Sequence, residues 1–171
     1  MHPGWRDVAG HHAWATLTLL AYCRDLDEAT LTATAPGTYG TILATLQHLI
    51  DAEASYLYRL TRAWDAHPWP DDEDVDLATL SERAALLGET LTQFLARDWD
   101  DERVTVGFSD EGELDVRAGV LLAQTLHHAN EHRAHVCSIL GTLGYEAPDV
   151  SAWGYADATG RMTLQGQMRE G

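Results

Sequence analysis

The sequence predicts an all-α fold, a four-helix bundle with a short β-hairpin inserted before the last long helix. Four segments of roughly 20 to 28 residues repeat their apolar residues at helical spacing, the pattern of amphipathic helices that share a core. Clusters of Gly and Pro separate these segments, and one stretch before the fourth alternates like a pair of strands. The length of 171 residues favours a single domain over residues 1–171.

The first two predicted helices cover residues 5–26 and 41–64. Apolar side chains from Trp5 to Cys23 share one face of the first helix, and a second stripe begins at Ile42. A breaker cluster separates the two helices, and the prolines that follow His67 cannot continue the second one.

The third predicted helix covers residues 79–97, with Thr79 and Glu82 as a capping box at its start. Residues 103–109 and 113–116 flank an Asp-Glu-Gly turn and predict the hairpin. The fourth helix covers residues 116–143, because Gly and then Pro follow it. The tail after it is polar and contains glycine, so we expect it to pack only in part.

The composition excludes several classes of partner. The chain has 27 acidic and 11 basic residues, a formal net charge of −16. No basic patch is available to neutralise phosphates, so we expect no nucleic-acid partner, and the same field disfavours anionic membranes. No window is apolar enough to span a membrane or to act as a signal peptide, which predicts a cytoplasmic protein. Cys23 and Cys137 fall in apolar helical patterns and predict buried free thiols.

Two histidines of the fourth predicted helix, His128 and His132, point the same way because they are four residues apart. They lie on the core-facing stripe with Leu121 and Ile139. Unpaired buried polar groups cost about 1–3 kcal/mol each, and one metal ion would satisfy both imidazoles. Bonds to other side chains would satisfy them too, so the spacing alone leaves both interpretations open.

The other histidines give different signals. His48 lies roughly 135° from the apolar stripe of the second helix, among small residues, and this position alone favours an exposed side chain. His12 falls on the apolar face of the first helix, which favours a hydrogen-bonded core histidine over a metal ligand. His135 lies at the edge of the stripe of the fourth helix, beside Gln124.

Particular residues exclude the rival metal motifs. The zincin protease motif requires Glu directly after its first His, where this chain has Ala129. A di-iron bundle requires Glu three places before each His, but Thr45 and Thr125 stand at two of those places. Residues 72–76 imitate the start of a calcium loop, but Leu77 replaces its required Gly, so this acidic run is predicted to be a solvated linker.

Residues 126–135 (LHHANEHRAH) and 143–148 (LGYEAP) resemble the DinB-like (DinB/YfiT) superfamily of metal-dependent enzymes. In that family the last helix carries a His-x-x-x-His-Arg motif, and a lone His on the second helix completes the site in a pattern like residues 46–53 (LQHLIDAE). The resemblance covers essentially the whole chain. It implies a frequent homodimer and a divalent metal, commonly zinc or nickel. The ligands that it implies are His48, His128 and His132.

The resemblance also raises the question of which residues support the metal ligands. The family often has Gln three places after the last ligand, where this chain has His135. His135 is therefore a candidate fourth ligand, a candidate contact to a ligand, or a replacement for that amide, with Gln124 nearby. Asp51 and Glu131 are the nearest acidic neighbours in sequence, and each is a candidate to orient a ligand imidazole. Glu131 lies about 100° from His132 around the helix, which points it toward solvent.

The function implied by the resemblance is transfer of a low-molecular-weight thiol, of the bacillithiol or mycothiol type, to a small electrophile. Relatives include bacillithiol S-transferases and a mycothiol-dependent maleylpyruvate isomerase, and a metal lowers the pKa of a bound thiol. Activated water would make the same site a metal-dependent hydrolase of small molecules. A site closed by a fourth protein ligand would instead indicate a non-catalytic metal-binding stress-response protein.

Overall fold

The structure is a computed structural model that describes residues 3–70, 75–108 and 112–163. Two residues of the predicted hairpin turn, Asp110 and Glu111, and residues 72–74 of the acidic linker lie outside these ranges. Within them the elements, in chain order, are α1 (Pro3–Cys23), α2 (Glu28–Leu31), α3 (Ile42–Thr61), α4 (Leu77–Ala96), β1 (Arg103–Phe108), β2 (Gly112–Arg117), α5 (Ala118–Thr142) and α6 (Ala152–Ala158).

The four long helices confirm the predicted bundle. Helix α1 packs mainly against α4, and α3 packs against both α4 and α5. Helices α1 and α5 approach each other far less closely. The core between them is aliphatic, and its fully buried members include Leu19, Leu46, Leu49, Leu87, Leu91 and Ile139. The bundle is therefore closed on three sides and looser between α1 and α5.

Side-chain caps and backbone conformation set the ends of the helices. Asp76 caps α4 by accepting the backbone N–H of Thr79 at 2.8 Å. The predicted capping box of Thr79 and Glu82 is therefore wrong, because the carboxylate of Asp76 starts the helix earlier. Helix α3 ends earlier than predicted, because Arg62 adopts a left-handed conformation (φ 49°) that a continuing helix does not allow.

The hairpin is where the sequence predicts it. Its strands are antiparallel and pair from Arg103 with Arg117 to Phe108 with Gly112. Helix α5 follows β2 without a loop, and the carboxylate of Asp101, which precedes the hairpin, accepts the backbone N–H of Gly119 at 2.9 Å. This bond satisfies a free donor at the start of α5 and fixes the helix relative to the chain before the hairpin.

The tail packs in part, as predicted, but it does so through a helix that the sequence analysis missed. In α6, Tyr155 is buried against α1 whereas Trp153 remains 74% exposed. A Cβ atom at Gly10 of α1 would collide with the hydroxyl of Tyr155, so the glycine permits this close approach. The tail therefore covers the loose side of the bundle next to α1.

The state of the two cysteines and the apolar character of the helices were also predicted from the sequence. Cys23 is a buried free thiol, as predicted, and Cys137 is free and partly buried. No helix among the described residues is both long and apolar enough to cross a bilayer.

Candidate metal centre

Three histidines from two helices converge at the interface of α3 and α5. The Nε2 atom of His128 lies 3.3 Å from Nε2 of His48 and 3.0 Å from Nε2 of His132. The ligand atoms of all three lie within 4.8 Å of one another. The structure thus brings together the three residues that the resemblance implied, in a cluster compatible with metal binding.

The position of His48 corrects the expectation from helical periodicity. That pattern favoured an exposed side chain, but His48 is only partly exposed and faces the His pair of α5. The small residues around it are partly covered, apart from the exposed Ala44, because α3 packs against α4 on one side and α5 on another. A helix that packs against two neighbours buries side chains outside its most apolar stripe. Helical periodicity identifies that stripe alone, so it did not predict the partial burial of His48.

The geometry fits a single small metal ion. Zinc–imidazole bonds of 2.0–2.1 Å in a tetrahedral site place ligand nitrogens roughly 3.4 Å apart. The two Nε2–Nε2 distances of 3.3 and 3.0 Å are close to that value. No carboxylate or thiol of the described residues joins the cluster. A tetrahedral ion held by these three imidazoles would therefore have one position for an external molecule.

Burial keeps these imidazoles neutral, which is the form that binds a metal. Desolvation and the neighbouring His132 and His48 lower the pKa of His128 to about 4, although Glu53 acts in the opposite direction. Desolvation also lowers the pKa of His48 and of His132. Near neutral pH the cluster therefore offers lone pairs and not positive charges.

Two tyrosines that the sequence analysis missed frame the cluster. The ring of Tyr39 stacks on His48 at a centroid distance of 4.1 Å and meets His132 edge-on at 5.1 Å. The ring of Tyr56 meets His128 edge-on at 5.6 Å. Tyr39 is 53% exposed, so it lies between the cluster and solvent. Its signal in the sequence was an aromatic residue inside the breaker cluster before α3.

The acidic candidates for orienting the ligands have other contacts. Asp51 accepts a hydrogen bond from the indole Nε1 of Trp69 at 2.8 Å and lies 3.8 Å from Arg83. Glu131 is exposed, and the described residues contain no hydrogen bond between it and His132. Both carboxylates act on the cluster through their charge. Asp51 partly opposes the lowering of the pKa of His48 by burial, and Glu131 does the same for His132.

The other two candidates lie beside the cluster without joining it. Gln124 donates a long hydrogen bond of 3.5 Å to the hydroxyl of Tyr56. The ring of His135 lies 5.3 Å from that of His132, edge-on, but none of its nitrogens belongs to the group of mutually close ligand atoms. His135 is therefore a neighbour of the cluster and leaves the fourth position open.

His12 is buried and lies outside the histidine cluster, as predicted, but its Nε2 forms no hydrogen bond with the described residues. Its Nε2 lies 2.9 Å from the carboxylate of Glu53, and both side chains are nearly fully buried. Arg133, which directly follows His132, is also buried and donates to the hydroxyl of Thr16 at 3.0 Å. This buried polar group lies toward α1, behind the histidine cluster.

The comparison with known families decides the classification. The profile of the DinB family matches residues 6–169. The chain belongs to the DinB family. None of the curated proteins compared with the chain matches it. Family membership agrees with the helical fold and with the three-histidine cluster, and it names no substrate for this DinB protein.

Proposed function

We propose that this DinB protein is a metal-dependent enzyme that transfers a low-molecular-weight thiol of the bacillithiol or mycothiol type to small electrophiles. His48, His128 and His132 would hold one divalent ion, with zinc or nickel the best candidates. The observation that carries the proposal is the convergence of three neutral imidazoles, with no fourth ligand group among the described residues. A bound ion in such a site lowers the pKa of a thiol toward neutrality.

The nucleophile must come from outside the chain. Burial raises the pKa of Cys23 to about 12 and also raises that of Cys137, and neither thiol belongs to the cluster. No carboxylate of the described residues lies in the cluster to serve as the base that a zincin-type hydrolase requires. A small thiol needs no such base, because it ionises much more readily than water does.

The reaction is a substitution in which the chain positions the two partners. The sulfur forms a bond to the electrophilic carbon, the leaving group departs with its bonding electron pair, and the thiol proton passes to solvent. Tyr39 and Tyr56 supply apolar ring surface beside the histidine cluster, which suits an electrophile with an apolar body. We place this reaction in the cytoplasm, where small thiols stay reduced, and in a homodimer, as in many relatives.

The first test is the metal content of purified protein, measured by elemental mass spectrometry. We expect close to one zinc or nickel ion per chain, and much less in His48→Ala. The matched control is His127→Ala, which removes an exposed histidine next to His128. Equal metal content in His48→Ala and in the wild type would contradict the proposed ligand set.

The second test measures turnover of an alkyl halide probe with bacillithiol, mycothiol or cysteine, and with no thiol. We expect turnover that requires a thiol and is lost in His128→Ala. Undiminished activity in His128→Ala would contradict the mechanism. Hydrolysis of ester probes without any thiol, dependent on the same histidine, would assign the site to a hydrolase instead.

A further inference from the structure

A cavity lies on the other side of α5 from the histidine cluster. It has a volume of about 550 Å³ and is bounded by α1, α5 and α6. It exists because α1 and α5 diverge while α6 crosses the gap between them. None of the three clustered histidines lines it, and Arg133 is about 140° from His128 around the axis of α5. The cavity is therefore separate from the candidate metal centre.

A buried guanidinium forms the polar end of this cavity. Arg133 lines it and is only 3% exposed. Its Nη1 donates to the hydroxyl of Thr16 at 3.0 Å and, at 3.5 Å, to the backbone carbonyl of His12. Its Nε is buried and has no hydrogen-bond partner among the described residues. A buried donor without a partner is costly, which makes this nitrogen a place where a ligand is expected.

The guanidinium also lacks a direct counter-ion. Burial lowers the pKa of Arg133, and the charge of Glu53 counteracts this effect. The carboxylate of Glu53 lies 2.9 Å from His12, however, and the described residues form no ion pair that includes Arg133. A buried Arg is normally paired, and carboxylates match its fork of donors best. The guanidinium can therefore still accept a negatively charged oxygen group as a partner.

The other side chains that line the cavity indicate the size and polarity of the ligand that it can hold. Four apolar side chains line the cavity beside the polar end, namely Val8, Leu126, Ala152 and Ala156. At the rim, Asp7 pairs with Arg161 at 2.6 Å, so neither of these rim charges is free. Arg133 is then the one arginine without an ion pair among the described residues that line the cavity. Since the net charge of the chain is −16, one such cation favours a monoanion over a phosphate dianion.

We propose that this cavity binds a small monocarboxylate with an apolar body, whose carboxylate bonds to the Nε edge of Arg133. The size of the cavity is within the range of small-molecule sites, which are mostly apolar with a few placed polar groups. The proposal does not depend on the metal centre or on thiol transfer.

Phenylacetate and its uncharged counterpart phenylacetamide test the proposal, because they share an apolar body and differ in the carboxylate. Binding to the full-length, metal-containing protein is measured by calorimetry and by saturation-transfer NMR. We expect phenylacetate to bind about tenfold or more tightly than the amide, the size expected for a charge-assisted hydrogen bond. Equal affinity for the two probes, or no binding of phenylacetate at millimolar concentration, would overturn the proposal.

Variants separate the cavity from the metal centre. Ala156→Phe fills the cavity without touching Arg133, and we expect it to abolish phenylacetate binding. Ala158→Phe is the matched control, because Ala158 is exposed on the same helix and does not line the cavity. Arg133→Gln should reduce phenylacetate affinity to that of the amide. Binding that survives in Ala156→Phe but disappears in His128→Ala would place the carboxylate at the histidine cluster and overturn the proposal.

Discussion

Helix α5 carries two polar groups on opposite edges of its buried face, and they differ in what the surrounding helices provide. On the α3 edge, His128 and His132 meet a third imidazole and form a cluster of neutral, converging nitrogens. On the α1 edge, Arg133 meets a hydroxyl and a backbone carbonyl but no carboxylate in direct contact. Adjacent residues of one motif therefore have different chemistry, because neighbouring helices and not the local sequence set their surroundings.

Glu53 stands between these two edges. It contacts His12 directly, and its charge acts on both Arg133 and His128. The charge of Glu53 therefore couples the two edges, but we expect each edge to control a different property of the protein. We expect the histidine edge to govern metal binding and the arginine edge to govern folding.

The largest effect should come from His128→Ala. Loss of one of three ligands should lower metal affinity by more than about 100-fold, since even the loss of a supporting contact costs about 10–100-fold. Metal affinity is measured by competition with a chelator. The unfolding free energy of the metal-free protein should change little, because the variant also removes a crowded, partly buried imidazole. A metal affinity within tenfold of the wild type would break the comparison.

The next effect should come from Arg133→Ala. It removes the hydrogen bonds to Thr16 and to the carbonyl of His12 and leaves the space of a large buried side chain empty, so we expect a loss of about 3 kcal/mol in unfolding free energy. Urea denaturation measures this loss, and metal content in the folded fraction should stay at the wild-type value. The control is Arg161→Ala at the exposed pair with Asp7, where the cost should stay below about 1 kcal/mol.

A smaller effect is expected from Asp51→Asn, which tests whether this carboxylate supports the metal ligands. Asp51→Asn keeps an oxygen that accepts from Trp69, and the carboxylate has no direct contact with the histidine rings, so metal affinity should change by less than about tenfold. Chelator competition again gives the value. A larger loss would show that Asp51 orients His48, as its position in the sequence suggested.

The smallest effect concerns the thiol of Cys23, which does not belong to the histidine cluster. The unfolded thiol of Cys23 ionises near pH 9, whereas the folded one keeps its proton to a pKa of about 12 because of burial. Its stabilising contribution is complete below pH 9 and is lost as the pH rises toward 12. Between pH 8.5 and 10 the wild type should lose about 1 kcal/mol of unfolding free energy relative to Cys23→Ala. Equal losses in the two proteins would show that Cys23 is not protected.

The local pattern of apolar and polar residues was sufficient to predict most of the architecture. Amphipathic periodicity predicted the four long helices, and alternation predicted the strands that pair Arg103 with Arg117. Errors came where a local choice depends on a single competing side chain or dihedral angle. Asp76 displaced the predicted capping box at Thr79, and the left-handed Arg62 ended α3 early.

The sequence by itself determined the four long helices and the spacing that aligns His128 with His132, because these depend on residues close along the chain. It also carried the resemblance to the family, but it predicted neither α2 nor α6. Only the tertiary structure placed His48 beside that pair and laid Tyr39 over it. The same is true of the buried group around Arg133 and of the cavity beneath α6. Each of these features depends on which helices pack together and which diverge. The arrangement of the helices is set by apolar burial over the whole core and not by any single segment.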